Sequence, residues 1–278
     1  MLKRINGHIL ENKMGIPLFY KEESDLSFKD IILPKYLRNS FSIFEKEFNN
    51  KTKLKEQGSY IPNKLLFSGV SGCGKSCVVR ALANSLNLSL FCVDMSELVL
   101  ISEDTFSIVK NLLKVINYVY DTNSILFFDN WGCIEVFDQN KYLNFIVNKI
   151  KNLYAKDFVP IMVCAISFSD YKDYFDIEMK FCKPISNEII NFIRNNYSDL
   201  EFDDYELSLL LPFLEDKSYK EIKKVINNIK NQYILRVKQT GLALRSVHME
   251  HLKCGNSFGN KNYRHSMLQI ITNVLYDE

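Results

Sequence analysis

From about residue 27 the chain alternates short unbroken apolar runs with longer segments whose apolar residues recur every three or four positions. Leu65-Leu66-Phe67-Ser68, Leu88–Val93, Ser124-Ile125-Leu126-Phe127-Phe128-Asp129 and Pro160–Ile166 have the length and continuity of buried strands. Between them lie helical patterns. Leu37, Phe41, Phe44 and Phe48 share one face, and Cys77–Leu86 follows with helical spacing. Phe106, Val109, Leu112, Leu113, Ile116 and Val119 line a helix from about Glu103 to Tyr120, and Lys141–Tyr154 reads as another. Continuous apolar strands separated by helices indicate a parallel sheet covered on both faces. In this pattern Pro160–Ile166 closes the strand series. Beyond Pro184 only helical periodicity remains, over Ile185–Asn196, Asp203–Leu214, Ser218–Lys238 and about Tyr263–Val274. Residues 1–25 are polar and weakly periodic, the pattern of a loosely packed arm, and Asn49–Tyr60 is a polar stretch. The expected organisation is an N-terminal extension (1–25), an α/β domain (26–184) and a small all-α domain (185–278).

Composition narrows the classes. An apolar fraction of 47% with 24% charged residues is that of a soluble globular protein. A net charge of +2 gives no argument for nucleic acid, and Lys51, Lys53, Lys55, Lys220, Lys223 and Lys224 read as solvated faces. The seven cysteines include no C-x-x-C pair and several fall inside apolar strands, which suits reduced thiols rather than a disulfide framework. No apolar run approaches the ~18–20 residues that span a bilayer, and the N-terminus lacks a signal-peptide core. An intracellular protein, cytoplasmic or nuclear, is the expectation.

The candidate chemistry centres on Gly69-Val70-Ser71-Gly72-Cys73-Gly74-Lys75-Ser76, which fits G-x-x-x-x-G-K-[ST] between a strand and a helix. Glycines let successive N–H groups turn inward, and the following helix N-terminus favours an anion. Gly69, Ser71, Gly72, Cys73, Gly74, Lys75, Ser76 and Cys77 are therefore the expected nucleotide-binding set, with Lys75 reaching the β- and γ-phosphates. A magnesium ion needs the Ser76 hydroxyl and a carboxylate at the end of a neighbouring strand, and Asp129 ends the run Ile125–Phe128. His248, His251, Cys254 and His265 match no usual zinc spacing and read as surface or packing residues.

With these motifs the chain resembles the AAA family of ATPases over roughly residues 26–255. Leu26-Ser27-Phe28-Lys29-Asp30-Ile31 resembles the segment that opens the module and helps frame adenine, which makes Asp30 and Ile31 candidate contacts. Val93–Val99 is similar to the strand end leading to the pore loop, and Ile125–Asp129 to Walker B. Met162–Ser167 falls at the sensor 1 strand, Ser218–Ile222 at the start of the sensor 2 helix, and His248–Leu252 at the close of the lid. The resemblance implies a P-loop NTPase sheet sandwiched by helices and followed by a helical lid, ATP and Mg²⁺ as ligands, and ring-forming partners.

The departures from the family bear on catalysis. The glutamate that polarises water is replaced by Asn130, which can orient a water but cannot take its proton; general-base assistance is typically worth ~10²–10⁴ in rate. Sensor 1 is Ser167, a hydroxyl of shorter reach. The stretch Ser169–Ile177, where the family carries its arginine finger, has no arginine, and Lys172 lacks the planar fork. The pore loop shortens to Leu100-Ile101-Ser102-Glu103, and the lid's usual Gly-Ala pair is Tyr219-Lys220. These features imply an ATP-binding regulatory or structural ring subunit with feeble or absent hydrolysis. A competent AAA ATPase drawing its base and finger from elsewhere is the second reading, and a clamp-loader-like, DNA-associated ATPase the third.

Overall fold

Alternate side chains of a parallel strand point to opposite faces, so strands covered on both sides must be apolar throughout. The computed structural model describes residues 3–5, 10–11, 15–102, 104–120, 122–134, 161–166, 175–251 and 271. It contains strands β1 (Lys3–Ile5), β2 (Tyr20–Glu23), β3 (Lys64–Gly69), β4 (Ser89–Asp94), β5 (Ser124–Asp129), β6 (Ile161–Ile166) and β7 (Ile177–Phe181). Helices α1 (Lys35–Asn49), α2 (Lys51–Glu56), α3 (Lys75–Ser85), α4 (Met95–Leu100) and α5 (Thr105–Val119) are interleaved with them. The strands form one sheet in the order β1-β2-β4-β5-β6-β3-β7. From β4 to β7 every pairing is parallel, while β2 joins β4, and β1 joins β2, antiparallel. This is the P-loop NTPase sheet with flanking helices.

The apolar runs divide as the pleat requires. In β5, Ile125 and Phe127 join one core with Leu65, Phe67, Val78, Leu82 and the α1 residues Leu37, Phe41 and Phe44. Leu126 and Phe128 point the other way, into a core with Leu98, Ile108, Leu112, Ile116 and Trp131. Helices α1 and α3 thus cover one face, and α4 and α5 the other.

Four local outcomes differ from the sequence pattern. Strand β7 follows β6, so the series does not close at Ile166. Ile177-Glu178-Met179-Lys180-Phe181 alternates, with Met179 and Phe181 buried and Lys180 exposed, as befits a strand paired, among the described residues, with β3 alone. Asp176 fastens its start, accepting from the Asn63 and Lys64 amides at 2.9 Å and facing Lys64 Nζ at 3.1 Å. Tyr20–Glu23 is a strand of the sheet, where the polar pattern suggested a loose arm. Lys51–Glu56 is a short helix within the polar stretch. Met95–Leu100 forms α4, started by the Asp94 carboxylate, which accepts from the Ser96 and Glu97 amides at 3.0 and 3.4 Å. The expected helix over Lys141–Tyr154 lies outside the described residues.

The chain divides into two compact units, Met1–Cys182 and Lys183–Glu278. The second is helical in its described residues: α6 (Ser186–Asn196), α7 (Asp204–Leu214) and α8 (Tyr219–His251). Its core joins Ile189, Ile193, Leu207, Leu210, Leu214, Ile222, Ile226 and Ile229 with Ile271. Asp203 with Glu206, and Ser218 with Glu221, satisfy the first amides of α7 and α8 reciprocally. Helix α8 runs well past the expected end at Lys238, whereas Tyr263–Val274 is outside the described residues apart from Ile271. No helix among the described residues is long and apolar enough to cross a membrane.

Candidate functional site

The loop between β3 and α3 is shaped by backbone constraints before any ligand is considered. Gly69 has φ +134°, and a Cβ there would lie 2.0 Å from the Phe181 carbonyl oxygen of β7. Only glycine lets the chain leave the sheet beside β7. Gly74, with φ +95°, is the residue before α3, and a Cβ there would meet open space, so its requirement is purely conformational. Helix α3 therefore begins at Lys75, two residues before the periodicity suggests, and its first amides face the loop. Cys73 is buried in the α1–α3 core, whereas Ser71 is exposed and Gly72 half-buried. Cys77, in the first turn of α3, is exposed.

Lys75 curls back over the loop, and its Nζ donates to the Gly69 carbonyl and, at 3.0 Å, to that of Val70. Burial pushes its ammonium below the ordinary lysine range, opposed by the charges of Cys73 and Asp129. Ser76 Oγ donates to Asp129 Oδ2 at 2.9 Å, so the two expected metal residues, 53 apart in sequence, meet. Burial raises the Asp129 carboxyl and the neighbouring Asp94 adds to this. The Ser76 and Asn130 hydrogen bonds and the charge of Arg80 oppose it. Asp94 is the direct parallel neighbour of Asp129 across β4 and β5.

A hydroxyl and a carboxylate side by side are hard oxygen donors, the set that suits a magnesium ion whose other positions hold water and phosphate oxygens. Beside them stand an inward-bent glycine loop, a helix N-terminus and an ammonium. Ser76 and Asp129 would hold the ion, and the loop amides and Lys75 the phosphates. Among the described residues no group of three or more His, Cys, Asp or Glu side chains converges on a metal position. His248 and His251 fall in the last turn of α8, while Cys254 and His265 lie outside the described residues.

Asn130 follows Asp129 in the left-handed region, at φ +55°, and its amide donates to Asp129 Oδ1 at 3.0 Å. Asparagine tolerates this conformation better than most residues. Its side chain is exposed, and the next residue, Trp131, is 2% exposed and packs edge-on against Phe128 at 5.3 Å. The turn is thus anchored by a buried indole and presents an amide to solvent.

The remaining expected residues are spread more widely. Asp30 closes a turn with Ser27, accepting from its hydroxyl at 2.7 Å and its amide at 2.8 Å. Those bonds hold its carboxyl below the usual range. Ile31 is half-buried against the α1–α3 core beside Phe28. Ser167 and residues 169–174, including Lys172, lie outside the described residues. Arg194 sits on α6, where Nη2 contacts Asp204 Oδ1 at 2.6 Å. Leu100, at the end of α4, is 84% exposed.

The sequence reading missed Arg80 and Glu22. Arg80 Nε donates to Glu22 Oε2 at 2.9 Å and Nη2 to Oε1 at 3.4 Å, and the Glu22 side chain is fully buried. Arg80 lies one helical turn after Ser76, a spacing that could have flagged it; Glu22, in a polar tetrad, offered no signal.

Comparison with known proteins bears on the family. The model of the ATPase family associated with various cellular activities (AAA) matches residues 65–169. A Sinorhizobium fredii protein described as an uncharacterized AAA family ATPase, y4kL, is 26% identical over 249 residues, covering 80% of this chain and 73% of its own length.

Proposed function

We propose, given that this chain carries an AAA-family ATPase domain, that it binds Mg²⁺–ATP at residues 69–76 and hydrolyses it feebly or not at all. On this reading it serves as a regulatory or structural subunit of a ring built from like or related chains. One observation carries the proposal. Lys75, Ser76 and Asp129 stand together as triphosphate binding requires, while the residue after Asp129 is an exposed Asn130 in a left-handed turn.

The roles follow from the donors. The loop amides and the start of α3 bind the β- and γ-phosphate oxygens. Lys75, now bonded to loop carbonyls, exchanges those partners for phosphate oxygens; its burial strengthens the attraction. Ser76 and Asp129 hold the magnesium ion, which when bound neutralises phosphate charge. Asn130 can donate to or accept from a water but cannot remove its proton, so the step that breaks the terminal bond lacks its base. The absence of arginine from Ser169–Ile177 further supports a subunit that does not activate its neighbour, since an arginine finger is worth ~10³–10⁵ in such reactions. Nucleotide would then act as a structural ligand, stabilising whatever conformation it binds.

Calorimetric titration with ATP, with and without Mg²⁺, together with steady-state turnover and mass measurement with and without nucleotide, tests the proposal. Expected are magnesium-dependent binding, turnover near background and a nucleotide-dependent increase in mass. Robust turnover by the unmodified chain, abolished by Lys75→Ala, would overturn the claim of lost hydrolysis; no affinity for adenine nucleotides would overturn the whole reading.

A further inference from the structure

We propose that Glu22 is a positioning residue for the metal–nucleotide site: it engages the Arg80 guanidinium in an ion pair on β2, so that Asp129 stays available to a magnesium ion. The inference rests on the reading of Ser76 and Asp129 as the metal pair and adds a part for the N-terminal strand that the P-loop motif does not contain.

Helix α3 carries three polar residues one turn apart, each with a different duty. Ser76 bonds Asp129 at 2.9 Å. Arg80 forks onto Glu22 of β2. Asn84 donates through Nδ2 to the carbonyls of Ser24 and, at 2.7 Å, Leu26. Residues at this spacing lie along one side of a helix, about 6 Å apart. The same stripe that meets the nucleotide site at its first residue thus grips the N-terminal segment at the next two. At the other end of β2, Tyr20 Oη donates to Glu97 Oε1 of α4 at 2.7 Å. Strand β2 is thus tied to both α3 and α4.

The charges explain why the grip matters. The Glu22 side chain is 0% exposed and that of Arg80 14%. A buried carboxylate needs a partner, and a two-pronged guanidinium supplies one with fixed direction. A mostly buried guanidinium deprived of Glu22 would have to find another anion, and one turn back on α3 is Ser76, whose hydroxyl is bonded to the Asp129 carboxylate. An Arg80–Asp129 pair would put a permanent cation where the magnesium ion needs the carboxylate. Glu22 prevents this by satisfying the guanidinium elsewhere. The phosphate cradle itself, made of loop amides and Lys75, does not depend on Arg80.

The test is binding of a fluorescent ATP analogue to the full chain at increasing Mg²⁺, and in EDTA. For Glu22→Gln we expect the Mg²⁺ concentration giving half-maximal enhancement to rise about tenfold, with affinity in EDTA unchanged within about twofold. Glu22→Asp, which keeps the charge, should behave as the unmodified protein. Glu22→Gln combined with Arg80→Gln leaves two amides and no intruding cation, and should restore the magnesium requirement to within about threefold. Arg80→Lys keeps both charges but breaks the fork, giving a severalfold rise even if Glu22→Gln does not fold. Equal loss of affinity with and without Mg²⁺ in Glu22→Gln, an unchanged magnesium requirement in Glu22→Gln or Arg80→Lys, or failure of the double variant to restore it would overturn the proposal. Lack of magnesium-dependent binding by the unmodified protein would instead refute the underlying assignment of Ser76 and Asp129.

Discussion

The turns at the carboxyl ends of β3 and β5 face the same site but are constrained in different ways. After β3, backbone geometry dictates the residues. Gly69 passes the Phe181 carbonyl where no Cβ fits, and Gly74 takes a left-handed conformation to start α3. Loss of either glycine damages the fold as well as the site. After β5, the fold is held by Phe128 and Trp131 on either side, while Asn130 between them points to solvent. A change at residue 130 alters chemistry with little effect on packing. The glycine loop is therefore tied to the sheet, whereas residue 130 is an exposed side chain on an anchored turn. On the proposed reading, phosphate binding can persist where water activation is lost.

Gly69→Ala should cause the largest damage, because the new methyl group overlaps β7 backbone and the left-handed φ is strained as well. We expect a loss of at least ~3 kcal/mol in urea unfolding together with loss of nucleotide binding. Wild-type stability in this variant would show that β7 yields and that the loop is less constrained than argued. Lys75→Ala should leave folding intact and weaken ATP binding by ~10²–10⁴-fold, since two charge-assisted hydrogen bonds of ~1.5–3 kcal/mol each are removed. Calorimetry on the folded variant measures this, and a change under threefold would remove Lys75 from the site.

Asn130→Glu addresses the second turn. Restoring a base is worth ~10²–10⁴ in turnover, but glutamate in a left-handed conformation is strained by ~1–3 kcal/mol. A gain near ~10² is expected, with a small drop in melting temperature. A large drop in stability would contradict the view that residue 130 is free of the core. Asp129→Asn should give the smallest effect on the fold and has a definite sign. Burial raises this carboxyl, so the folded state holds its proton more tightly than the unfolded chain. Its ionised form then opposes folding at every pH above the raised value. The asparagine variant, measured without ligand, should melt slightly higher at neutral pH. The advantage should fade as pH falls through the raised carboxyl value towards the ordinary aspartate range. The magnesium-dependent part of nucleotide binding should be lost at the same time.

Much of the molecule was legible because burial on both faces leaves an unmistakable run of apolar residues. Leu65–Ser68, Ser124–Asp129 and Pro160–Ile166 announced β3, β5 and β6, and Leu37, Phe41, Phe44 and Phe48 announced α1. Strand β7 escaped notice because an edge position needs only alternation, and five residues of it are a weak signal. Helix α4 is six residues long, too short to show a period, and depends on a cap from Asp94. Gly69 to Ser76 and Asp129 were candidates from motif and context, and the structure brings Ser76 and Asp129 into contact, while the Asp30 carboxylate accepts from Ser27 in its own turn.

The sequence alone determined the local shape of the phosphate loop, because glycine positions and the strand-to-helix switch are properties of consecutive residues. It also determined that the residue after Asp129 is an asparagine, Asn130, which is a matter of residue identity. Only the tertiary structure decided that Ser76 touches Asp129, that Phe181 forbids a side chain at residue 69, and that Tyr20–Glu23 becomes a strand whose buried Glu22 holds Arg80. Those outcomes depend on which distant segments the sheet order brings together. A polar tetrad carries no record of the guanidinium that will neutralise it.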